Sequence, residues 1–257
     1  MSNPFYKELA NEKVVFKTAF SSNIPLLLKG PTGCGKSRFV EAMAYEVDKE
    51  VVTVSCNDET SATDLIGRHL IIGGETVWQD GPVTRAVKNG HILYLDEIAE
   101  AREDVITVLH SLSDHRRKLF VDRLGEQYDA AAGFMMIVSF NPGYQKSMKE
   151  MKPSTRQRFV SLNFNYPGEE AEAQIIEKET GLNLKDSKKL AKLATKIRSL
   201  HELGLAETVS TRLLVNAAKL IIADLPPRLA CDVSIVESLS DDEKIIETLK
   251  EIVSLII

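Results

Sequence analysis

Residues 30–37 read Gly30-Pro31-Thr32-Gly33-Cys34-Gly35-Lys36-Ser37, an unbroken match to the pattern G-x-x-x-x-G-K-S. The glycines let backbone N–H groups turn inward onto phosphate oxygens, with Pro31, Thr32 and Cys34 filling out the loop. Lys36 offers a point charge to the β and γ phosphates, and the Ser37 hydroxyl suits Mg²⁺. An apolar run, Leu26-Leu27-Leu28, precedes the loop, and a helical pattern follows it. That helix would aim its positive end at the same anion. The chemistry expected is therefore binding of a nucleoside triphosphate, with ATP and Mg²⁺ as ligands. A glycine-rich turn without ligand is the bland alternative.

Ile92-Leu93-Tyr94-Leu95-Asp96-Glu97 is a second candidate. Four apolar residues followed by two acids put both carboxylates at the carboxyl edge of a buried strand, where ligands of open α/β sheets bind. Asp96 is expected in the Mg²⁺ shell and Glu97 beside the attacking water. The pair could instead cap the next helix. A third candidate is Met135 to Asn141, a buried strand ending in an amide. Asn141 could bond a γ-phosphate or a water without adding charge; Asn141-Pro142-Gly143 also reads as a plain turn.

Five short apolar runs could place these groups: 25–28, 51–55, 92–95, 135–139 and 161–164. Continuous apolar runs of this length suit strands buried on both faces of a parallel sheet. Helical patterns lie between them at 37–47, 81–88 and 105–112, after a lead-in over 1–23 with Val14, Val15, Phe16 and Phe20 roughly on one face. Strand plus helix in alternation means an α/β fold with a five-stranded parallel sheet. After Pro167 only helices are expected. They cover 169–180, ended by Gly181; 186–200, capped by Asp186; and 211–223, capped by Ser210 and stopped before Pro226-Pro227. The last follows a capping box at Ser240 to Glu243 and runs to the C-terminus. The expected division is an α/β nucleotide-binding domain, 1–167, and a helical lid domain, 168–257.

The formal net charge of -5 is unfavourable for generic nucleic-acid binding. No apolar run approaches the roughly 18 residues that span a bilayer, and Met1 to Glu12 lacks the apolar core of a secretory signal. Cys34, Cys56 and Cys231 show no zinc spacing, and unpaired thiols suit a reducing compartment. His69, His91, His110, His115 and His201 show no paired metal spacing and read as structural.

Phosphate loop, apolar-Asp-Glu strand, polar-ended strand and trailing helices, in this order, resemble an AAA+ ATPase. The likeness narrows at Lys29 to Lys36, Asp64 to Arg68, Thr76 to Pro82, Ser139 to Gln145 and Lys152 to Phe159. These segments look like the CbbQ/NirQ/NorQ branch of the MoxR ATPases, closest in appearance to the CbbQ members, and the resemblance covers nearly the whole chain. It implies that Asn141 is the sensor amide and that Arg158 is an arginine finger serving a neighbouring subunit, with Arg156 as second choice. It also implies that Arg212 is a second sensor reaching from the lid. Two inserted hairpins are expected, near 68–80 and 117–132, which in such proteins face a ring's central pore. Trp78 could contact a partner there or belong to the core.

The function implied is an ATP-driven motor that remodels a client protein as a homo-oligomeric ring, usually a hexamer. For the CbbQ type the client is Rubisco, reached with a von Willebrand factor A-domain adaptor, in the cytoplasm or in association with carboxysomes. The alternative is maturation of nitric oxide reductase. A small-molecule kinase, a DNA-acting ATPase and a passive nucleotide-dependent binding module are rivals of other classes.

Overall fold

The computed structural model describes residues 4–142, 151–200, 205 and 207–257. Gly143, Tyr144 and Gln145 of the asparagine-turn segment lie outside the described residues, as does His201. The chain divides into two compact units. The first comprises Met1–Pro4, Ala10–Gly30 and Lys36–Phe164. The second comprises Phe5–Leu9, Pro31–Gly35 and Asn165–Ile257.

The first unit holds the five-stranded sheet. Its strands are β1 (Leu26–Lys29), β2 (Val51–Ser55), β5 (Ile92–Asp96), β8 (Met135–Phe140) and β9 (Val160–Asn163). They lie in the order β2-β5-β8-β1-β9, all parallel. The apolar runs dictate this. Leu26 to Leu28, Ile92 to Leu95 and Met135 to Val138 are buried on both faces, so each strand must lie inside a covered sheet. One face packs Leu27, Leu93, Leu95 and Val138 against Val83 and Val87 of α4 (Pro82–Asn89) and Val105 and Leu109 of α5 (Glu103–His110). Elsewhere in the unit Phe39, from α2 (Lys36–Glu46), meets Phe16 edge-on at 5.9 Å and Phe164 at 5.3 Å. Phe16 lies on α1 (Glu12–Ser21) and is fully buried, but Val14 is 63% exposed, so the inward stripe is Glu12, Phe16 and Ala19. Val14 is thus off the face that the sequence pattern assigns to it.

Both expected hairpins are present. The first, β3 (Gly67–Ile72) with β4 (Glu75–Asp80), turns at Gly73-Gly74, both with positive φ. Its Trp78 packs on the core edge, 5.0 Å edge-on from His69, and donates its indole N–H to Asp80 Oδ1 at 2.8 Å. The second is β6 (Lys118–Val121) with β7 (Glu126–Asp129), and it buries Leu119 and Val121. One short helix was missed, α3 (Ala62–Ile66), opened by a Ser61–Asp64 capping box. A single turn, α6 (Pro153–Arg156), leads into β9.

In the second unit α7 (Glu169–Thr180) ends at Gly181 in the left-handed conformation, as expected. The next helix, α8 (Leu184–Arg198), starts earlier than expected. Its cap is Asn183, whose side chain accepts from the Asp186 N–H, so Asp186 lies inside the first turn and is not the cap. Ser210 caps α9 (Thr211–Ile222). This helix ends before Pro226-Pro227, as expected, and Pro227 also opens a helix that was not expected, α10 (Pro227–Cys231), which runs through a π turn into α11 (Glu237–Leu239). Proline is welcome at a first helical position, where its missing N–H would have no partner. The final helix, α12 (Glu243–Ile256), is capped by Asp242 in place of Ser240, whose hydroxyl accepts from the Asp242 N–H. Leu190, Leu193, Leu214, Ile235 and Leu249 from these helices share one core.

Candidate functional site

Parallel register brings the chemistry to one edge. Lys29 pairs with Phe140 and Leu95 with Val138. Gly30 and Asn141 therefore leave adjacent strands side by side, and Asp96-Glu97 leave the next one. The order of connections reverses around β1, so this edge is a topological switch point. Gly30 donates its N–H to the Phe140 carbonyl at 3.2 Å. A Cβ on Gly30 would fall 2.4 Å from the Phe164 carbonyl oxygen, so only glycine fits there. Gly35 has open space around it, but its φ of 99° favours glycine.

Lys36 is 7% exposed at the start of α2. Its ammonium donates to the Gly30 carbonyl at 2.9 Å and to Asn141 Oδ1 at 2.7 Å. The Asn141 amide donates onward to Glu97 Oε1 at 3.4 Å. Asn141 thus bridges the cation and the carboxylate, and only one orientation of its amide serves both. Glu97 is exposed and sits at φ 56°, ψ 43°, a conformation that is costly for a residue with a Cβ.

A hydroxyl network missed in the sequence lies under the acids. Tyr94, 1% exposed, donates to Asp96 Oδ1 at 2.9 Å and lies 3.3 Å from Ser37 Oγ. Ser139, fully buried, also donates to Asp96 Oδ1 and accepts the Glu97 N–H at 3.0 Å. Burial pushes the Tyr94 phenol well above its usual range, so it stays a donor at neutral pH. Burial, with the Asp96 and Glu97 charges behind it, pushes the Cys56 thiol up to about 12, which makes it inert. Alternation along β5 could have flagged Tyr94, since a phenol amid leucines two residues before an aspartate needs a partner.

These residues fit a nucleotide with Mg²⁺. A desolvated ammonium and glycines with inward-turning freedom suit phosphate. Ser37 and Asp96 meet on one phenol and are oxygen donors, the type Mg²⁺ prefers. Among the described residues no group of three or more His, Cys, Asp or Glu could hold a metal alone. Mg²⁺ sites commonly take one or two protein ligands and complete the shell with phosphate and water.

Three arginines are further candidates. Arg158 follows α6 and donates Nη1 to the His110 carbonyl and to Asp114 Oδ2, each at 3.3 Å. Its Nε is buried without a partner among the described residues. Arg116, chiefly, and then Arg158 hold the Asp114 carboxyl below the usual range. Arg156 ends α6, half-buried. Arg212 is exposed in the first turn of α9, in the second unit, with its Cβ beside Gly33.

The AAA domain (dynein-related subfamily) matches residues 25–159, and the CbbQ/NirQ/NorQ C-terminal family matches residues 172–256. The chain belongs to the CbbQ/NirQ/NorQ family of AAA+ ATPases. NorQ of Paracoccus denitrificans is 49% identical over 98% of this chain and 94% of its own length. The denitrification regulatory protein NirQ of Stutzerimonas stutzeri is 48% identical over 97% and 91%. CbbQ of Hydrogenophilus thermoluteolus is 46% identical over 94% and 90%. Among solved structures, a candidate ATPase from Cytophaga hutchinsonii shares the fold with a TM-score of 0.55 at 16% identity, covering 94% of this chain and 89% of its own. Like its family, this chain is an ATP-binding ATPase. Among the described residues no helix is long and apolar enough to cross a membrane.

Proposed function

We propose that this AAA+ ATPase hydrolyses ATP in a homo-oligomeric ring, usually six-membered in its family, to remodel a client protein. The observation that carries the hydrolytic part is the Asn141 bridge, which joins the Lys36 ammonium to the Glu97 carboxylate at the switch-point edge. In this reading 1–167 is the nucleotide-binding domain and 168–257 the lid. Gly30, Pro31, Thr32, Gly33, Cys34 and Gly35 cradle the phosphates, and Lys36 neutralises them. Ser37 and Asp96 would hold Mg²⁺, whose chemistry when bound is to offset charge on the phosphate oxygens. Glu97 takes a proton from the attacking water, and Asn141 holds Glu97 in place until phosphate arrives. Arg212 answers the γ-phosphate from the lid. The exposure of Glu97 to water favours hydrolysis over phosphoryl transfer to a substrate hydroxyl.

Arg158 is proposed to act in trans. Its tie to Asp114, away from the Asn141 bridge, supports a role at a neighbour's site. Arg158→Ala and Glu97→Gln chains, each inactive alone, are expected to recover measurable ATP turnover when mixed, because some interfaces pair an intact finger with an intact base. Mixtures as inactive as their parents would count against a shared site.

For the client, the CbbQ-like appearance favours Rubisco with a von Willebrand factor A-domain adaptor, and a cytoplasmic or carboxysome-associated location. Relatives named for denitrification favour nitric oxide reductase instead, and identities of 48% and 46% do not choose between them. Incubation of the ATPase and its adaptor with sugar-phosphate-inhibited Rubisco tests the first. Recovery of carboxylation that depends on ATP is the expected result. No recovery, together with capture of nitric oxide reductase subunits by the Glu97→Gln chain, would replace it with the second.

A further inference from the structure

Glu172 is the clearest buried charge that the hydrolytic site does not use. It lies in the first turn of α7, is 0% exposed, and all its visible partners belong to the second unit. Arg198, at the end of α8, grips it with both terminal nitrogens at 2.8 Å. The Thr211 hydroxyl donates to the same carboxylate at 2.6 Å. Arg198 Nε donates to the Val209 carbonyl at 2.8 Å, so all sides of the guanidinium fork are used. Its face lies 4.1 Å over the Tyr166 ring, and the Tyr166 hydroxyl donates to the Thr32 carbonyl at 2.9 Å. Thr32 belongs to the phosphate loop.

We propose that Tyr166, Arg198 and Glu172 are positioning residues that tie the Thr32 carbonyl to the first turn of α9 and thereby set how firmly the loop holds ATP. The inference rests on the phosphate-loop reading and deepens it. A trans peptide points its C=O and N–H in opposite directions. Anchoring the Thr32 oxygen therefore fixes where the Gly33 N–H points, and that N–H is one of the loop's donors. Ser210 reinforces the anchor: a Cβ on Gly33 would come 2.7 Å from the Ser210 Cβ, so the loop backbone rests directly on the cap of α9. Arg212 follows two residues later, so the relay ends at the α9 turn that carries the second-sensor candidate.

Cohesion alone does not account for this arrangement. A buried ion pair contributes little net stability compared with apolar side chains of similar size. Here it runs instead from a loop carbonyl to a helix start, with each link directional. Burial pushes the Tyr166 phenol up to about 12, against the pull of Arg198, so the loop-facing group remains a donor at neutral pH.

The test uses the full chain and a non-hydrolysable ATP analogue. Tyr166→Phe removes only the hydroxyl and keeps the ring under Arg198. It is expected to raise the analogue's Kd, and KM for ATP, roughly 2- to 10-fold, the effect of one hydrogen bond, while kcat changes less and the melting temperature without nucleotide stays within about 2 °C. Arg198→Lys keeps the charge but cannot make the fork, and it is expected to weaken binding at least as much. Unchanged analogue affinity in Tyr166→Phe, with a lowered melting temperature in Arg198→Lys, would make the network a brace and overturn the proposal. Wild-type chain that fails to bind the analogue would instead overturn the phosphate-loop reading itself, so the two failures are distinguishable.

Discussion

Lys36→Ala is expected to lower ATP turnover by about 1,000-fold or more, and to abolish measurable ATP binding in the micromolar range. The ammonium is nearly enclosed, and a charge in such a place acts through a lower dielectric than water provides. It is also held at two points, by the Gly30 carbonyl and Asn141 Oδ1, so little ordering remains to be done when phosphate arrives. Alanine removes the charge and leaves Asn141 without its cationic partner. Phosphate release and titration with a fluorescent ATP analogue measure the two effects. Thermal melting of the nucleotide-free protein serves as control, since neither bond belongs to the sheet. Unchanged nucleotide affinity in a folded variant would refute the assignment of the loop.

Glu97→Gln is expected to cut kcat by about 100- to 10,000-fold while ATP affinity stays within about threefold. The substitution keeps shape and removes only the ability to take a proton. Glu97 follows β5 directly, in a left-handed conformation that ordinary residues adopt at a cost of about 1–3 kcal/mol. Ser139 holds its N–H and Asn141 touches its carboxylate, so the surrounding bonds keep the strained residue in place. Quenched single-turnover reactions should find ATP bound and uncleaved. A variant that still turns over within tenfold of wild type would remove Glu97 from the role of base. The same variant separates the motor from a passive binding module, which would keep remodelling its partner.

The sheet and the phosphate edge were legible because their signals are local. Leu26 to Ser37 contains its own strand, turn and helix start, and Ile92 to Glu97 its own strand and carboxylates. The register that sets Gly30 beside Asn141 then follows from burying both strands. The hairpin at Gly73-Gly74 was legible for the same reason: the turn chemistry sits inside the segment that folds.

What escaped depends on contacts between distant positions. Glu172 reads as one of three acids in the first turn of α7, and only the placement of Arg198 and Thr211 shows that it is buried. Tyr94 looked like an ordinary apolar strand residue, although its hydroxyl joins Ser37 to Asp96. Asp186 and Ser240 are competent caps, and each lost to a neighbour, Asn183 and Asp242, because the helix start shifted by a few residues. Pro226-Pro227 marks the stop of α9 in the sequence, but nothing there shows that the second proline also opens a helix. Resemblance points to Arg158, and neither its bond to Asp114 nor the burial of its Nε could be inferred from Gln157-Arg158-Phe159.

The strand order also governs when this protein can assemble. β1 is the first strand made, but its sheet neighbours are β8 and β9, more than 100 residues later in the chain. A growing polypeptide therefore carries Leu26-Leu27-Leu28 without its first sheet neighbour until Met135 to Phe140 has been synthesised. Non-local pairing of this kind slows folding and leaves apolar segments open to aggregation meanwhile. Nascent chains halted before Met135 should thus associate or recruit chaperones. Those extended past Asn163 can close the sheet around β1, and only then does Gly30 meet both Phe140 and Phe164.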